Sequence, residues 1–216
     1  MGGSKVLQRE FFARDAVEVA RACIGTCIVA ESDSESCVLV GRIVEAEAYR
    51  GPEDRAAHSF GNRRTPRTEV MFGPPGHAYI FQIYGQHFHL NAVTGFEGSP
   101  QAVLIRAVEP LSGQPVMARR RSMAADRVEL TNGPGKLCQA FGIDKRWYGW
   151  DLTCGRNLYF TEGRPAARVL AASRVGVEYA AEWATRAWRF FDADSRYVSK
   201  ARGASLASEA TARIGR

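Results

Sequence analysis

The sequence predicts a single α+β domain built on a curved, mainly antiparallel sheet with flanking helices. Its 216 residues are enough for one sizeable domain, and 45% of them are hydrophobic against 24% charged, so the chain can bury a core. Several runs rich in β-branched or aromatic residues follow one another between residues 27 and 109. The connections between the last three runs are short, which favours antiparallel neighbours over a repeated β-α-β unit.

The first predicted element is a helix over residues 15–24, with helical apolar spacing between a capping Asp15 and a terminating Gly25. Strands are then predicted at residues 27–31, 37–49, 77–84, 87–94 and 101–109. Further helices are predicted around 115–125, 134–141 and 178–184, and the apolar run ARVLAASRVGV is predicted to return to the sheet. The domain is predicted to cover residues 1–198, and the small, polar and basic residues 199–216 are predicted to form a poorly ordered tail.

Composition and the terminal sequence exclude several classes of protein. No window approaches the roughly 18–20 consecutive apolar residues that a membrane span requires. The segment MGGSKVLQREFFARD lacks an apolar core followed by a cleavage site, so we expect no secretory signal. The 5 cysteines form no Cys-x-x-Cys pair, which favours reduced thiols in a cytosolic protein over a disulfide framework or a zinc site.

The net charge of +6 and the pI near 9.3 fit a protein that binds nucleic acid, although many basic proteins bind none. The region 106–147 is rich in basic side chains and includes the run Arg119-Arg120-Arg121. This run is either a solvated helix face or a set of phosphate contacts, and the sequence leaves both alternatives open.

The segment GRIVEAEAYRGPEDRAAHSFGNRRTP carries the strongest indication of chemistry. In a strand over 42–49, alternation places Ile43, Glu45, Glu47 and Tyr49 on one face and Arg42, Val44, Ala46 and Ala48 on the other. The loop that follows brings His58 and the cluster Arg63, Arg64 and Arg67 beside the two carboxylates. Such a strand end is often a solvated edge. Here the apolar flanks favour burial, and a carboxylate beside a ring and a basic rim suits a reaction that develops positive charge on a polyanionic substrate.

A second segment, MFGPPGHAYIFQIYGQHFHLNAV, predicts a β-hairpin with aromatic rings on both strand faces. For Tyr79 and Phe88, packing in the core is the preferred interpretation. Tyr84 differs, because it precedes Gly85, which allows a tight turn that presents the ring outward. With basic residues around it, such a ring can insert between base pairs.

Together these segments resemble the alkyladenine, or methylpurine, DNA glycosylases. The resemblance rests on ordered blocks across almost the whole chain: GRIVEAEAYRGPEDRAAHSF, Thr65-Pro66-Arg67, MFGPPGHAYIFQIYG, the HLN that ends at Asn91, VLIRAVEPL, NGPGKLCQAFGI and RVGVEYAAEWATRAWRF. It implies a fold like the C-terminal domain of methionyl-tRNA formyltransferase. It also implies a monomeric, monofunctional hydrolase, with no metal or cofactor, that flips alkylated or deaminated purines out of DNA and cleaves the N-glycosidic bond to start base excision repair.

Carried over residue by residue, the resemblance assigns roles to several side chains. Glu47 is the implied general base that activates water, with Arg106 and the backbone carbonyl of Val175 holding that water. Tyr49, His58 and Phe81 are the implied stacking partners of the flipped base, and Asn91 stands at the pocket floor. Tyr84 before Gly85 is the implied wedge, and Arg63, Arg64 and Arg67 are expected on the DNA phosphates. Many family members have tyrosine at position 81, so a pocket hydroxyl is missing here.

Two other interpretations stay open. A non-catalytic module that binds nucleic acid, such as RNA, would have no use for a buried Glu47 facing Arg106. A metal-dependent nuclease would use Glu45, Glu47, Glu53 and Asp54, but these are split between a strand and a loop, and the histidines lack ligand spacing. The expected partner is damaged double-stranded DNA, with single-stranded DNA as a second candidate. The expected location is the cytoplasm, at the nucleoid, or the nucleus.

Overall fold

The computed structural model describes residues 4–32 and 36–199 and contains eight strands and several short helices within them. The strands are β1 (Cys27–Ser32), β2 (Cys37–Tyr49), β3 (Ala78–Ile83), β4 (His87–Thr94), β5 (Gln101–Ser112), β6 (Leu158–Thr161), β7 (Val169–Ala172) and β8 (Arg189–Asp192). The α-helices are α1 (Arg9–Phe12), α2 (Ala16–Ala22), α3 (Gln114–Arg121) and α4 (Pro134–Phe141). Single 3₁₀ turns lie at Gly51–Glu53, Phe60–Asn62, Glu69–Phe72, Val128–Leu130 and Lys145–Trp147, and a longer one at Glu178–Trp183.

The strands form one antiparallel sheet in the order β3-β4-β5-β2-β1-β6. The long strand β2 pairs with β5 along one side, whereas its other side pairs first with β1 and then, at Glu45–Glu47, with β8. Strand β7 joins only to β8. Because β2 changes partner along its length, the sheet curls into a half-barrel. This confirms the predicted α+β class, while the likeness to the formyltransferase domain stays a prediction.

The apolar core lies between this sheet and helices α2, α3 and α4. Its largest fully buried members include Phe12, Ile28, Leu39, Ile105 and Phe160. The Asp15 carboxylate accepts the Val17 N–H and caps α2, as predicted. The predicted core position of Tyr79 is also confirmed, since its side chain is buried, and Phe88 packs partly buried against the core.

Strand β2 departs from the predicted alternation at a β-bulge. Its register with β5 shifts between Ile43 and Glu45 and again between Glu45 and Ala46. Ile43 therefore packs into the main core together with Ala46, while Val44 packs into a separate cluster with Ala107. The prediction that Ile43 shares a face with the two glutamates is wrong, because an extra residue reverses the sidedness of a strand.

Two arginines of the run at the end of α3 make hydrogen bonds within the protein. Arg120 donates to the carbonyl of Ala140, and Arg121 donates to Gln139 and to the carbonyl of Glu129. Arginines near a helix C-terminus satisfy carbonyls that have no partner within the helix. Two of the three arginines therefore tie α3 to the end of α4, so a purely solvated helix face does not describe them, and phosphate contacts of this run stay a prediction.

Other predicted elements change in length or type. The helix predicted at 115–125 ends at Arg121, and the one at 178–184 is a 3₁₀ segment interrupted at Ala181, where φ is +52°. The four-residue strands β6 and β8 were not predicted. Among the described residues, no helix has the length and apolar character needed to cross a membrane. The predicted tail lies outside the described residues apart from Ser199.

Candidate active site

A cavity of about 630 Å³, including its open mouth, lies against β3, β4 and β5 and the loops around residues 56–58 and 175–179. Its lining contains six of the residues assigned from the sequence: Tyr49, His58, Phe81, Asn91, Arg106 and Val175. These residues come from six separate segments of the chain, so the fold brings the predicted site together. Concave sites with aromatic walls and a few convergent polar groups are typical of small-ligand sites.

Glu47 lies directly behind the cavity wall and is fully buried. Its Oε1 accepts the backbone N–H of Val175 at 2.8 Å, and its Oε2 accepts the hydroxyl of Tyr49 at 2.9 Å. The Nη1 of Arg106 is 3.3 Å from Oε1. All three partners line the cavity. A carboxylate oxygen can accept two hydrogen bonds, so Oε2 retains an acceptor position for a water molecule.

The two groups that face Glu47 keep their protonated forms. Burial, and then the negative charge of Glu47, raise the pKa of Tyr49 well above its usual value, so its hydroxyl stays a donor. Burial alone would lower the pKa of Arg106, but the charges of Glu47 and Glu45 outweigh it and raise that pKa above its usual range. Arg106 is therefore a permanent cation beside the carboxylate.

Glu45 is also fully buried, but both of its carboxylate oxygens are occupied by hydrogen-bond donors of the protein. Its carboxylate accepts from Arg106 Nε at 2.9 Å and from Arg189 Nη1 at 3.1 Å. The backbone N–H and the hydroxyl of Ser199 donate to it at 2.7 and 2.9 Å. Arg106 thus bridges the two glutamates, and Glu45 holds that bridge in place.

His58 forms one wall of the cavity in its neutral state. Burial first, and then the charges of Arg67 and Arg63, lower its pKa to about 4. Arg67 can only donate, so the His58 Nε2, 3.1 Å from the guanidinium, carries the lone pair. The proton therefore sits on Nδ1, which donates to the Tyr79 hydroxyl at 2.8 Å. The imidazole also packs edge-on against Phe81, with ring centroids 4.7 Å apart.

Asn91 and His89 stand side by side on the cavity face of β4, since residues two apart on a strand share a face. The Asn91 amide donates to the Tyr79 carbonyl at 3.0 Å, which fixes its orientation. His89 was missed from the sequence, although its spacing from Asn91 was a signal that could have found it. Burial, and then the charge of Arg106, lower the pKa of His89 to about 4.

Tyr84 occupies the tip of the β3–β4 hairpin, and its side chain is 92% exposed. It adopts a left-handed φ of +51°, followed by Gly85 at +69°, and the turn is closed by the Gln86 N–H on the Ile83 carbonyl. The sequence predicted this outward ring and tight turn. Phe81 and Ile83 of the same hairpin line the cavity, so the hairpin carries Tyr84 at the cavity rim. Tyr179, which is 71% exposed, also lines the cavity and was not assigned from the sequence.

The three arginines predicted to contact DNA differ in their surroundings. Arg64 forms a bidentate ion pair with Glu69, with Nη2 2.6 Å from Oε1 and Nε 2.9 Å from Oε2. Arg67 lies over the Phe81 ring, 5.1 Å from its centroid, while bonded to His58. The exposed Arg63 has no ion pair or side-chain hydrogen bond within the described part of the chain.

The carboxylates proposed for a metal-dependent nuclease are held elsewhere. Glu45 is bound by arginines, Asp54 forms a buried ion pair with Arg174, and Glu53 is exposed on its 3₁₀ turn. Across residues 4–32 and 36–199, no three His, Cys, Asp or Glu side chains are grouped as a metal site requires. The residues present therefore do not fit that interpretation.

Comparison with known proteins agrees with the motifs and the site. The model of the methylpurine-DNA glycosylase family matches residues 10–196. A protein of Desulfitobacterium hafniense (strain Y51), named as a candidate 3-methyladenine DNA glycosylase, is 49% identical over 203 residues, which cover 90% of this chain and 98% of that protein. Relatives of the same name from Clostridium novyi (strain NT) and Methanocella arvoryzae are 43% and 44% identical, over 91% and 90% of this chain and 99% and 96% of their own lengths. The chain therefore belongs to the methylpurine-DNA glycosylase family.

Proposed function

We propose that this protein removes alkylated purines from DNA by hydrolysing the bond between base and deoxyribose, with a water molecule that Glu47 activates. The observation that carries the proposal is the buried Glu47 carboxylate, whose donors Val175, Tyr49 and Arg106 all line the cavity. Family membership supports the N-glycosylase activity. The role of the carboxylate rests on its geometry.

Cleavage of an N-glycosidic bond develops positive charge on the sugar, as in other glycoside hydrolyses. A buried carboxylate stabilises that charge and accepts a proton from the attacking water, so no covalent intermediate is needed. The Val175 N–H and the Tyr49 hydroxyl fix both oxygens of Glu47, and the Arg106 cation orients the water. We propose that the protein has no lyase activity, because that step would need an amine nucleophile at the site.

The walls of the cavity suit a flat, electron-poor base. An alkylated purine that carries positive charge is attracted to the face of an aromatic ring, and Tyr49 and Phe81 supply such faces. The neutral state of His58 supports this choice, since a protonated imidazole would repel a cationic base. We extend the proposal to deaminated purines, which are neutral but present the same planar ring system to the aromatic side chains of the cavity.

The hairpin supports base flipping from duplex DNA. Extruding a base costs a few kcal/mol, and less for a damaged pair. We propose that the exposed ring of Tyr84, which directly follows the cavity-lining Ile83, fills the gap that the flipped nucleotide leaves. Damaged duplex is therefore the proposed partner of an enzyme that we propose is monomeric. Single-stranded DNA is a second candidate substrate, in which Tyr84 has no gap to fill.

The test is release of base from duplexes that each carry one lesion: 3-methyladenine, 7-methylguanine, hypoxanthine or ethenoadenine. We expect release of at least the alkylated purines, an intact abasic strand until alkali is added, and no effect of excess chelator. A protein that binds these duplexes without releasing any base would instead be the non-catalytic binding module.

The relatives named above come from two bacteria and an archaeon, which have no nucleus. They favour the nucleoid of the cytoplasm as the place of action and give no support to the nuclear alternative.

A further inference from the structure

Arg174 is a buried arginine at the start of the loop that supplies Val175. Its side chain and that of Asp54 are both 0% exposed. The two terminal nitrogens of Arg174 donate to the two oxygens of the Asp54 carboxylate, the Nη2–Oδ1 distance being 2.9 Å. Burying two charges is costly unless their geometry is good and their remaining hydrogen bonds are satisfied. Within the described part of the chain, Arg174 Nε is buried without a hydrogen-bond partner, whereas both terminal nitrogens are bonded.

The same guanidinium makes four further contacts. Nη1 donates to the carbonyl of Ala48 at 2.9 Å, and Nη2 donates to the carbonyl of Trp183 at 3.2 Å. The planar group lies between two aromatic rings, with Cζ 4.8 Å from the Tyr49 centroid and 5.1 Å from the Trp188 centroid. Only arginine combines a bidentate fork with a flat face that stacks on rings.

Each contact fixes a segment that contributes to the cavity. Ala48 lies between Glu47 and Tyr49 on β2, and Asp54 begins the turn that leads to His58. Trp183 ends the 3₁₀ segment that contains Tyr179. The residue after Arg174 is Val175, whose N–H holds Glu47 at 2.8 Å. One side chain therefore ties the strand with the carboxylate to the loop that orients it.

We propose that Arg174 is a positioning residue: through Asp54, Ala48 and Tyr49 it fixes the Val175 N–H against Glu47 and the Tyr49 ring against the cavity. The inference rests on the function proposed for Glu47. Arg174 is absent from the cavity lining and acts only through its neighbours.

The test compares R174K with D54N and with the control R42K. Arg42 is also a buried arginine, paired with Glu109 and Asp192 at 2.8 Å, but it lies outside the cavity lining. Four properties are measured for each variant: single-turnover base release from a lesion duplex, affinity for undamaged duplex, melting temperature, and hydrogen exchange of the Val175 amide.

Lysine keeps the charge of residue 174 but cannot bond both Asp54 oxygens or stack between the rings. For R174K we expect base release to slow about 10- to 100-fold, since small misplacements at a reacting centre cost up to 10²-fold. The Val175 amide should lose protection, and affinity for undamaged duplex should stay within about twofold. R42K should melt earlier yet release base at the wild-type rate with Val175 protected.

D54N tests the same link from the other partner and keeps the proposal open to refutation if R174K does not fold. D54N should also slow base release. The variant that combines D54N with R174K should release base almost as fast as the slower of the two single variants, because the two residues act as one unit. Wild-type release and a protected Val175 amide in R174K or D54N would overturn the proposal, as would equal slowing in R42K. A wild-type protein that releases no base would refute the proposed function, whereas Val175 exchange would still test the positioning.

Discussion

Glu45 and Glu47 lie two residues apart on β2 and are both fully buried, yet their surroundings differ. Glu45 is enclosed by two arginines and by the N–H and hydroxyl of Ser199. Glu47 has one arginine at the longer distance of 3.3 Å, and its other donors lie at the cavity. Burial and strand position therefore do not decide what a carboxylate does. The different roles that we propose for the two residues rest on the number of their partners and on whether those partners line the cavity.

The largest effect on the rate of base release is expected at Glu47, whose partners line the cavity. Glu47→Gln should keep the fold and most of the DNA affinity but slow base release by about 10² to 10⁴, because an amide cannot accept a proton from water. Single-turnover release from a lesion duplex, measured beside the affinity for that duplex, checks this. Release near the wild-type rate would remove Glu47 from the mechanism.

The same substitution at Glu45 should have the opposite effect: a large loss of stability and a small loss in the rate of base release. Glu45→Gln leaves Arg106 and Arg189 short of negative charge in the interior, and breaking such a buried network costs about 3 kcal/mol. Denaturant unfolding should show that loss, while the folded variant releases base within a few-fold of the wild-type rate. A stable Glu45 variant that is as slow as the Glu47 variant would erase the distinction between the two residues.

A smaller effect is expected at the hairpin tip, outside both carboxylate environments. Tyr84→Ala should weaken capture of the flipped state in duplex DNA by about 1 to 3 kcal/mol, the usual value of stacking on a base. Release from a single strand with the same lesion should change little. Phe96, which is 74% exposed and absent from the cavity lining, provides the matched control. Equal losses on both substrates, with a lower melting temperature, would identify Tyr84 as a merely structural residue.

The smallest effect extends the contrast from carboxylates to arginines. Arg63→Ala should reduce the slope of log affinity against log salt by about 0.9, the value of one phosphate contact. Arg121→Ala should leave that slope unchanged and lower the melting temperature, because Arg121 bonds Gln139 and the Glu129 carbonyl. Titrations at several salt concentrations with undamaged duplex measure the slopes. A reduced slope for Arg121→Ala together with an unchanged slope for Arg63→Ala would mean that the arginines of α3 contact the DNA.

The sequence was most informative where the signal is local. The bounds of β2 follow from its β-branched run, and the β3–β4 hairpin follows from alternating rings and Gly85. The strand β8 was missed because four residues carry no readable periodicity, and its place beside Glu45–Glu47 depends on tertiary pairing. The bulge in β2 is invisible for the same reason, since period-two reasoning assumes an unbroken ladder.

The site shows a similar division. Glu47, Arg106 and the stacking residues were assigned through ordered motifs, and the fold brings them to one cavity. Arg174 and Asp54 each lie in one of these motifs, but the sequence did not indicate that they pair, because an arginine is normally exposed and the two residues are 120 positions apart. What motifs cannot supply is therefore the scaffold of buried charges behind the cavity wall.

The left-handed backbone at Tyr84 has a consequence for protein engineering. A φ of +51° costs a β-carbon-bearing residue about 1 kcal/mol or more, a cost that glycine avoids and asparagine reduces. A library sorted only for heat resistance should therefore enrich glycine or asparagine at position 84. Such a selection would discard the ring that we propose inserts into the DNA, so any search for a more thermostable enzyme must score turnover on duplex substrate in the same round.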